Sequence, residues 1–141
     1  MTSKDATAVV DNGANPMRWC CEKQGCFNLK KRVKLEEFAE CLPGRMAFGD
    51  IDGITEIGGN FLIQEWKARG AGLPTGQRIM FERLTASSPF IVLVVEGDAE
   101  TMVVKHITKI WHGKVGKRDV ATLDTLKATI KAWAAWAGVQ P

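Results

Sequence analysis

Between Arg45 and Lys67 the chain reads "RMAFGDIDGITEIGGNFLIQEWK", alternating apolar and polar positions around a break at Gly58-Gly59. Alternation at period two marks half-buried strands, and two glycines between alternating runs mark a two-residue hairpin. Ahead of this segment, Leu35, Phe38 and Leu42 recur at helical spacing, which predicts a helix from near Lys34 to the breaker Leu42-Pro43-Gly44. After it, Arg69 to Thr75 reads as a loop, and Thr75 is placed to cap a helix running to about Leu84 with Ile79, Met80 and Leu84 facing inward. "PFIVLVV" is short, apolar and rich in β-branched residues, the pattern of a buried strand. Another strand is expected from Thr101 to about Trp111. A final helix is expected from about Val120 to Ala137 with Asp119 as its cap. Its apolar stripe, Leu123, Leu126, Ile130, Trp133 and Ala137, predicts a helix docked on the sheet; the alternative is the seam of a homodimer.

The hairpin carries the candidate chemistry. If Ile57 pairs with Asn60 across the glycine turn, Asp52 falls opposite Glu65 and Asp50 opposite Lys67. Opposed residues share a face, as do residues two apart on one strand, so all four polar groups converge on one patch. An Asp facing a Glu is a liability unless something positive lies between them, and a hard divalent cation resolves it. Mg²⁺ or Mn²⁺ is therefore expected at Asp52 and Glu65. Lys67 is placed to orient or help deprotonate a water, and Asp50 to tune Lys67 or hold a second ion. The alternative is an ordinary solvated hairpin in which Asp50 and Lys67 form a surface pair. The inference depends on register, because a slip of one residue sends these side chains to opposite faces.

Composition narrows the class without choosing a function. The 141 residues, 45% hydrophobic and 25% charged, suit one globular domain. Residues 1–16 read as a flexible lead and 17–141 as the single domain. No apolar run is long enough to span a bilayer, and the N-terminus lacks the pattern of a secretory signal, so the expected location is cytoplasmic with no membrane partner. The net charge of +3 comes from 19 basic and 16 acidic residues, and its distribution is more informative than its sum. Lys30, Lys31, Arg32 and Lys34 form one basic cluster; Lys105, Lys109, Lys114, Lys117 and Arg118 form another. Such clusters suit a phosphate backbone, or equally the solvated faces of a soluble protein.

Asp52 at the end of "GDID", followed by Glu65-Trp66-Lys67, gives D-x12-E-x-K, which resembles the PD-(D/E)xK nuclease superfamily. Restriction enzymes, Holliday junction resolvases, RecB-type nuclease domains and VRR-NUC domains belong to it. The resemblance covers roughly residues 34–95. It implies an α/β (mixed α+β) fold with an αβββαβ core, a central mixed sheet flanked by helices, here with an extra C-terminal strand and helix. It also implies a metal-dependent endonuclease acting on DNA, with branched DNA or a Holliday junction as one form of substrate. Under it, Asp52, Glu65 and the backbone carbonyl of Trp66 hold the metal while Lys67 assists the nucleophile. Gln77, in "GQRIMF", stands where some members place a glutamine beside the active site. A first-helix glutamate also joins the site in some members; Glu36, Glu37 and Glu40 are the candidates, with Glu36 preferred. Lys30, Lys31, Arg32, Lys34, Arg69 and Arg78 are the expected nucleic-acid contacts. A small nuclease of this type would suit a phage, acting in the bacterial host cytoplasm. Two features depart from the pattern: Ile51 replaces the motif proline, and the first core strand has to fit within Arg45 to Phe48. The alternative function is an inactive nuclease-like module that binds nucleic acid or a partner protein.

Cys20, Cys21, Cys26 and Cys41 do not have the paired spacing of a structural zinc site, since two are adjacent and the next gap is long. They are read as small buried hydrophobes. The zinc alternative takes Cys20 or Cys21 with Cys26, Cys41 and His106 or His112. No G-x-S-x-G elbow, Walker motif or dinucleotide-binding glycine pattern is present. Trp19, Trp66, Trp111, Trp133 and Trp136 are expected mostly in the core, with Trp19 or Trp111 as alternatives for stacking on unpaired bases.

Overall fold

A computed structural model describes residues 33–68, 70–87 and 89–139. The chain divides into two units between Gly49 and Asp50, and each is described by itself. In the first, Leu35–Cys41 forms a 3-10 helix rather than the expected α-helix, and none of its residues is buried. The Phe38 and Phe48 rings meet edge to face, with centroids 6.3 Å apart. The expected strand within Arg45 to Phe48 does not form: these residues are irregular, and Met46 and Phe48 stay exposed. Without a buried face, alternation gives a strand nothing to pack against. Cys41 is exposed, not a buried small hydrophobe.

The second unit is a five-stranded mixed sheet with a helix on each face. Its strands are β1 (Gly53–Ile57), β2 (Asn60–Lys67), β3 (Phe90–Asp98), β4 (Val103–Trp111) and β5 (Lys114–Val120), in spatial order β1-β2-β3-β4-β5. Neighbours are antiparallel except β2 and β3, which run parallel with helix α1 (Thr75–Ala86) as their crossover. Helix α2 (Leu123–Gly138) follows β5. The architecture is therefore mixed α/β, as expected. Its C-terminal extension holds two strands and a helix instead of one strand and a helix.

Local chemistry explains the turns. Gly58 and Gly59 have φ of 59° and 86°, the left-handed pair that a tight hairpin needs, and they set Ile57 opposite Asn60. His112-Gly113 makes the second such turn, with φ of 53° and 77°, and sets Trp111 opposite Lys114. Histidine is among the few side chains enriched in that region of backbone space.

Strand β3 is covered on both faces, so its alternation sorts two cores. Val92 and Val94 join Ile63, Ile110 and Phe81 of α1; Leu93 and Val95 join Leu62, Val104 and Ile107 under Leu126, Trp133 and Ala137 of α2. The apolar stripe of α2 is thus taken up by the chain's own sheet. Its cap is Thr122, whose side chain accepts from the Thr125 N–H at 3.2 Å, because Asp119 still belongs to β5. On α1 Phe81 and Thr85, each 1% exposed, face inward and Leu84 packs against the same core as expected, while Met80 points out at 48%. Helix α1 begins one residue before the predicted first turn, so Thr75 is its first member and Pro74 its cap. Full burial of a phenylalanine side chain contributes roughly 1.5–3 kcal/mol, so Phe81 is a principal anchor of the helix. No helix among the described residues is long and apolar enough to cross a membrane.

Candidate functional site

Glu65 and Lys67 stand two apart on β2 and share the α1 face of the sheet. The β1–β2 register is the expected one, but the ladder ends at Gly53↔Gln64. Asp52 and Asp50 therefore precede β1 and form no ladder pairs with Glu65 and Lys67. Asp52 instead caps the strand edge: its Oδ2 accepts from the Trp66 N–H at 2.6 Å. A strand residue turns its N–H and C=O to the same neighbour. The Asp52 carboxylate thus lies on the side to which the Trp66 carbonyl also turns.

Glu65 is the centre of the cluster, only 5% exposed. Its Oε2 accepts from Gln77 Nε2 at 2.8 Å and lies 3.2 Å from Lys67 Nζ. Gln77 arrives from the first turn of α1, which the parallel β2–β3 crossover lays over this face. The opposite oxygens are a different matter. Glu65 Oε1 and Gln77 Oε1 are both buried and have no hydrogen-bond donor. Leaving a buried acceptor unmet costs about 1–3 kcal/mol, more for a charged group. The unmet Glu65 carboxylate oxygen suits a cation, so its chemistry fits a divalent ion. Among the described residues no group of three or more His, Cys, Asp and Glu gathers as a metal site. An ion here would use at most two carboxylates, completed by neutral oxygens, which is within the habit of Mg²⁺.

The site continues along the same face to Glu96, which the sequence did not single out. Lys67, Glu96 and His106 are in register across β2, β3 and β4. Arg118 of β5 grips Glu96 with both ends of its fork, Nε to Oε2 at 2.8 Å and Nη2 to Oε1 at 2.9 Å. Arg118 Nη2 also lies 3.2 Å from His106 Nδ1. The hydrogen bonds from Arg118, aided by its charge, that of His106 and the Gly70 backbone, outweigh burial and hold the Glu96 carboxyl below the usual glutamate range. The same pairing raises Arg118. A cavity of about 310 Å³ opens between these groups and α1, lined by Lys67, Arg78, Glu96, Thr108 and Arg118 among others. The signal for Glu96 was a lone acid ending the apolar run of β3, and its partner becomes visible only once two further strand pairings are known.

The structure thus brings together Glu65, Lys67 and Gln77, sets Asp52 against Trp66, and puts Arg78 in the adjoining cavity, where it also pairs with Glu82 at 2.9 Å. Asp50 is exposed and outside the ladder. Glu36 is exposed on the 3-10 helix and Lys34 is exposed just before it, both in the first unit. Lys30, Lys31, Arg32, Arg69, Trp19, Cys20, Cys21 and Cys26, with the 1–16 lead, lie outside the described residues. Comparison with family models, with curated proteins and with solved structures finds no match to this chain.

Proposed function

We propose that this chain is a divalent-cation-dependent endonuclease that hydrolyses DNA phosphodiester bonds, with Mg²⁺ or Mn²⁺ at Glu65 and Asp52. The observation that carries the reading is the buried Glu65 carboxylate, one oxygen shared between Gln77 and Lys67 and the other without a donor. Support also comes from order in space. The strand bearing Glu65-x-Lys67 is followed by a helix and then a parallel neighbour, an arrangement similar to that of the nuclease superfamily whose D-x12-E-x-K spacing the chain resembles.

Asp52 and Glu65 would hold the cation, with the Trp66 carbonyl as a neutral donor. The ion would supply positive charge to the phosphate and acidify water. The protein's own groups do the rest. Gln77 fixes Glu65 by donating to one oxygen, which leaves the other for the ion. Lys67, a compact cation with three donors, offers one to the reacting phosphate or water while another stays on Glu65. Arg78, beside the cavity that Lys67 also lines, would supply further positive charge for the nucleic-acid strand, whereas Arg118 is taken up by Glu96. As the water oxygen bonds to phosphorus, the bond to the leaving sugar oxygen breaks. The water's proton passes to solvent and the leaving oxygen gains one. Branched DNA is the first substrate form to test, and the cytoplasm of a bacterial host is the compartment in which a phage-encoded copy would act. A homodimer seamed by α2 is not part of this reading, because the stripe that would form it is buried on the sheet.

A second reading is favoured by one observation. With Asp52 Oδ2 engaged by the Trp66 N–H, one carboxylate is already serving the strand edge, as suits a nuclease-like module that binds without cutting. Incubation with supercoiled plasmid and a synthetic four-way junction, in Mg²⁺, Mn²⁺ or EDTA, separates the two. The enzyme reading expects metal-dependent nicking that Glu65→Ala and Lys67→Ala abolish while DNA binding persists. Binding without cleavage in any metal selects the second.

A further inference from the structure

The sheet face opposite Glu65 bears another cavity, of about 540 Å³, under α2. Leu93, Ile107 and Ala121 give it an apolar floor. Lys109, Lys114 and Lys117 line it against a single acid, Asp119. Among the described residues Asp119 reaches only Lys117, at 3.9 Å, with both side chains well exposed, so it neutralises little. At one end stands Trp111, 50% exposed, with Lys109 Nζ 5.6 Å from its ring centroid and the His112 ring 4.1 Å away. A half-exposed indole is expensive to leave in water, and here it is held by a tight turn rather than by burial.

We infer that this cavity is a binding site for single-stranded nucleic acid, separate from the Glu65 cluster and independent of whether that cluster cuts. Two chemistries have to be met together, and each is visible. Trp111 offers a π-face to an unpaired base, while Lys109, already poised over the ring, can exchange that contact for a phosphate. Lys114 is paired across from Trp111, and Lys117 lies further along β5 on the lining of the same cavity, so the two can meet successive phosphates of one strand. The apolar floor accepts a base face, which a paired duplex keeps inside its own stack. A polyanion lacking bases would satisfy the lysines but leave the indole and the floor without a partner.

The test uses the full chain in EDTA, so cleavage plays no part, with a fluorescein-labelled oligothymidylate followed by fluorescence anisotropy. Trp111→Ala should weaken binding about 5- to 150-fold, the range for loss of one base–aromatic stack, and Trp111→Phe should restore most of it. Lys114→Ala and Lys117→Ala should each reduce the slope of log affinity against log salt by about 0.7. Heparin should compete through the lysines yet bind Trp111→Ala as well as it binds the parent. Should Trp111→Ala lose its far-UV circular dichroism, Trp111→Leu keeps the bulk without the π-face and takes its place. Binding indifferent to Trp111, or no binding of the oligonucleotide, overturns the inference.

Discussion

Gln77 Nε2 stands 2.8 Å from Glu65 Oε2, so the first turn of α1 holds the buried acid of β2 by a single directed hydrogen bond. That bond fixes which oxygen is left over. Lys67 neutralises from the same side, 3.2 Å from the same oxygen. The two contacts together make a one-sided clamp.

Replacing Gln77 should loosen the clamp without removing the acid. Gln77→Ala is expected to lower nicking, or the apparent affinity for Mg²⁺, by about 10- to 100-fold, the usual effect of deleting a partner that orients a ligand. Plasmid nicking measured across a Mg²⁺ titration checks this. An unchanged titration curve would mean that Gln77 only packs.

A cation bound at Glu65 and Asp52 should stabilise the fold. At ten times its dissociation constant, a ligand that binds only the native state contributes about 1.4 kcal/mol. Melting in Mg²⁺ or Mn²⁺ should therefore exceed melting in EDTA for the parent and not for Glu65→Gln. An equal shift in both proteins would place the ion elsewhere.

Acid should reach the fold through Glu96. Its folded-state pKa is depressed below the ordinary value of 4.5, chiefly by hydrogen bonds from Arg118. A depressed carboxylate contributes stability that is fully present above the unfolded pKa and is lost as pH falls through the folded one. At neutral pH, Arg118→Leu should lower the melting temperature, because the 7%-exposed Glu96 loses its main partner. The gap from the parent should close as the pH drops below the usual glutamate range. A gap constant from pH 7 to pH 3 would remove Glu96 from the explanation.

Gly97 should tolerate no side chain. It sits where the β3–β4 register shifts, and a Cβ there would overlap the Val103 carbonyl oxygen and come within 3.0 Å of Val104 Cα. Both neighbours are backbone, which cannot rotate aside. Gly97→Ala is expected to cost about 1–3 kcal/mol or more, measured by urea unfolding. A change under half of that would show that the bulge can slide.

The elements legible in the sequence are those whose signal is local. Gly58-Gly59 announces its turn, the turn fixes the β1–β2 register, and the register puts Glu65 and Lys67 on one face. The apolar run of β3 and the stripe of α2 were legible for the same reason. Strand β5 was not. All seven of its residues are exposed, so "KVGKRDV" shows no alternation, and its pairing with β4 supplies the order that hydrophobic pattern lacks. The His112-Gly113 turn was the one local sign of it. Asp119 stands just ahead of the helical pattern in the sequence, but β5 claims it and leaves the cap to Thr122. Phe81 replaced Met80 inside because the rotation of α1 is set by the sheet beneath it and not by its own composition, which is weakly amphipathic. Asp52 was placed opposite Glu65 by extending the ladder, but the pairing stops one step short and the carboxylate takes the vacated main-chain position on Trp66. Glu96 and Arg118 lie 22 positions apart on non-neighbouring strands, beyond the reach of any local pattern.

Gln77, Phe81 and Thr85 are spaced at i, i+4 and i+8, and so lie along one side of the same helix. Phe81 and Thr85 are sealed against the sheet, which leaves the rod no liberty to roll. A substitution at Phe81 that lets it turn would swing the amide one turn upstream, roughly 6 Å along the axis, away from the acid it serves. Drift at a position that touches neither the ion nor the nucleic acid would then silence the cluster as surely as loss of Lys67, and a screen for lost activity would return Phe81 among its hits.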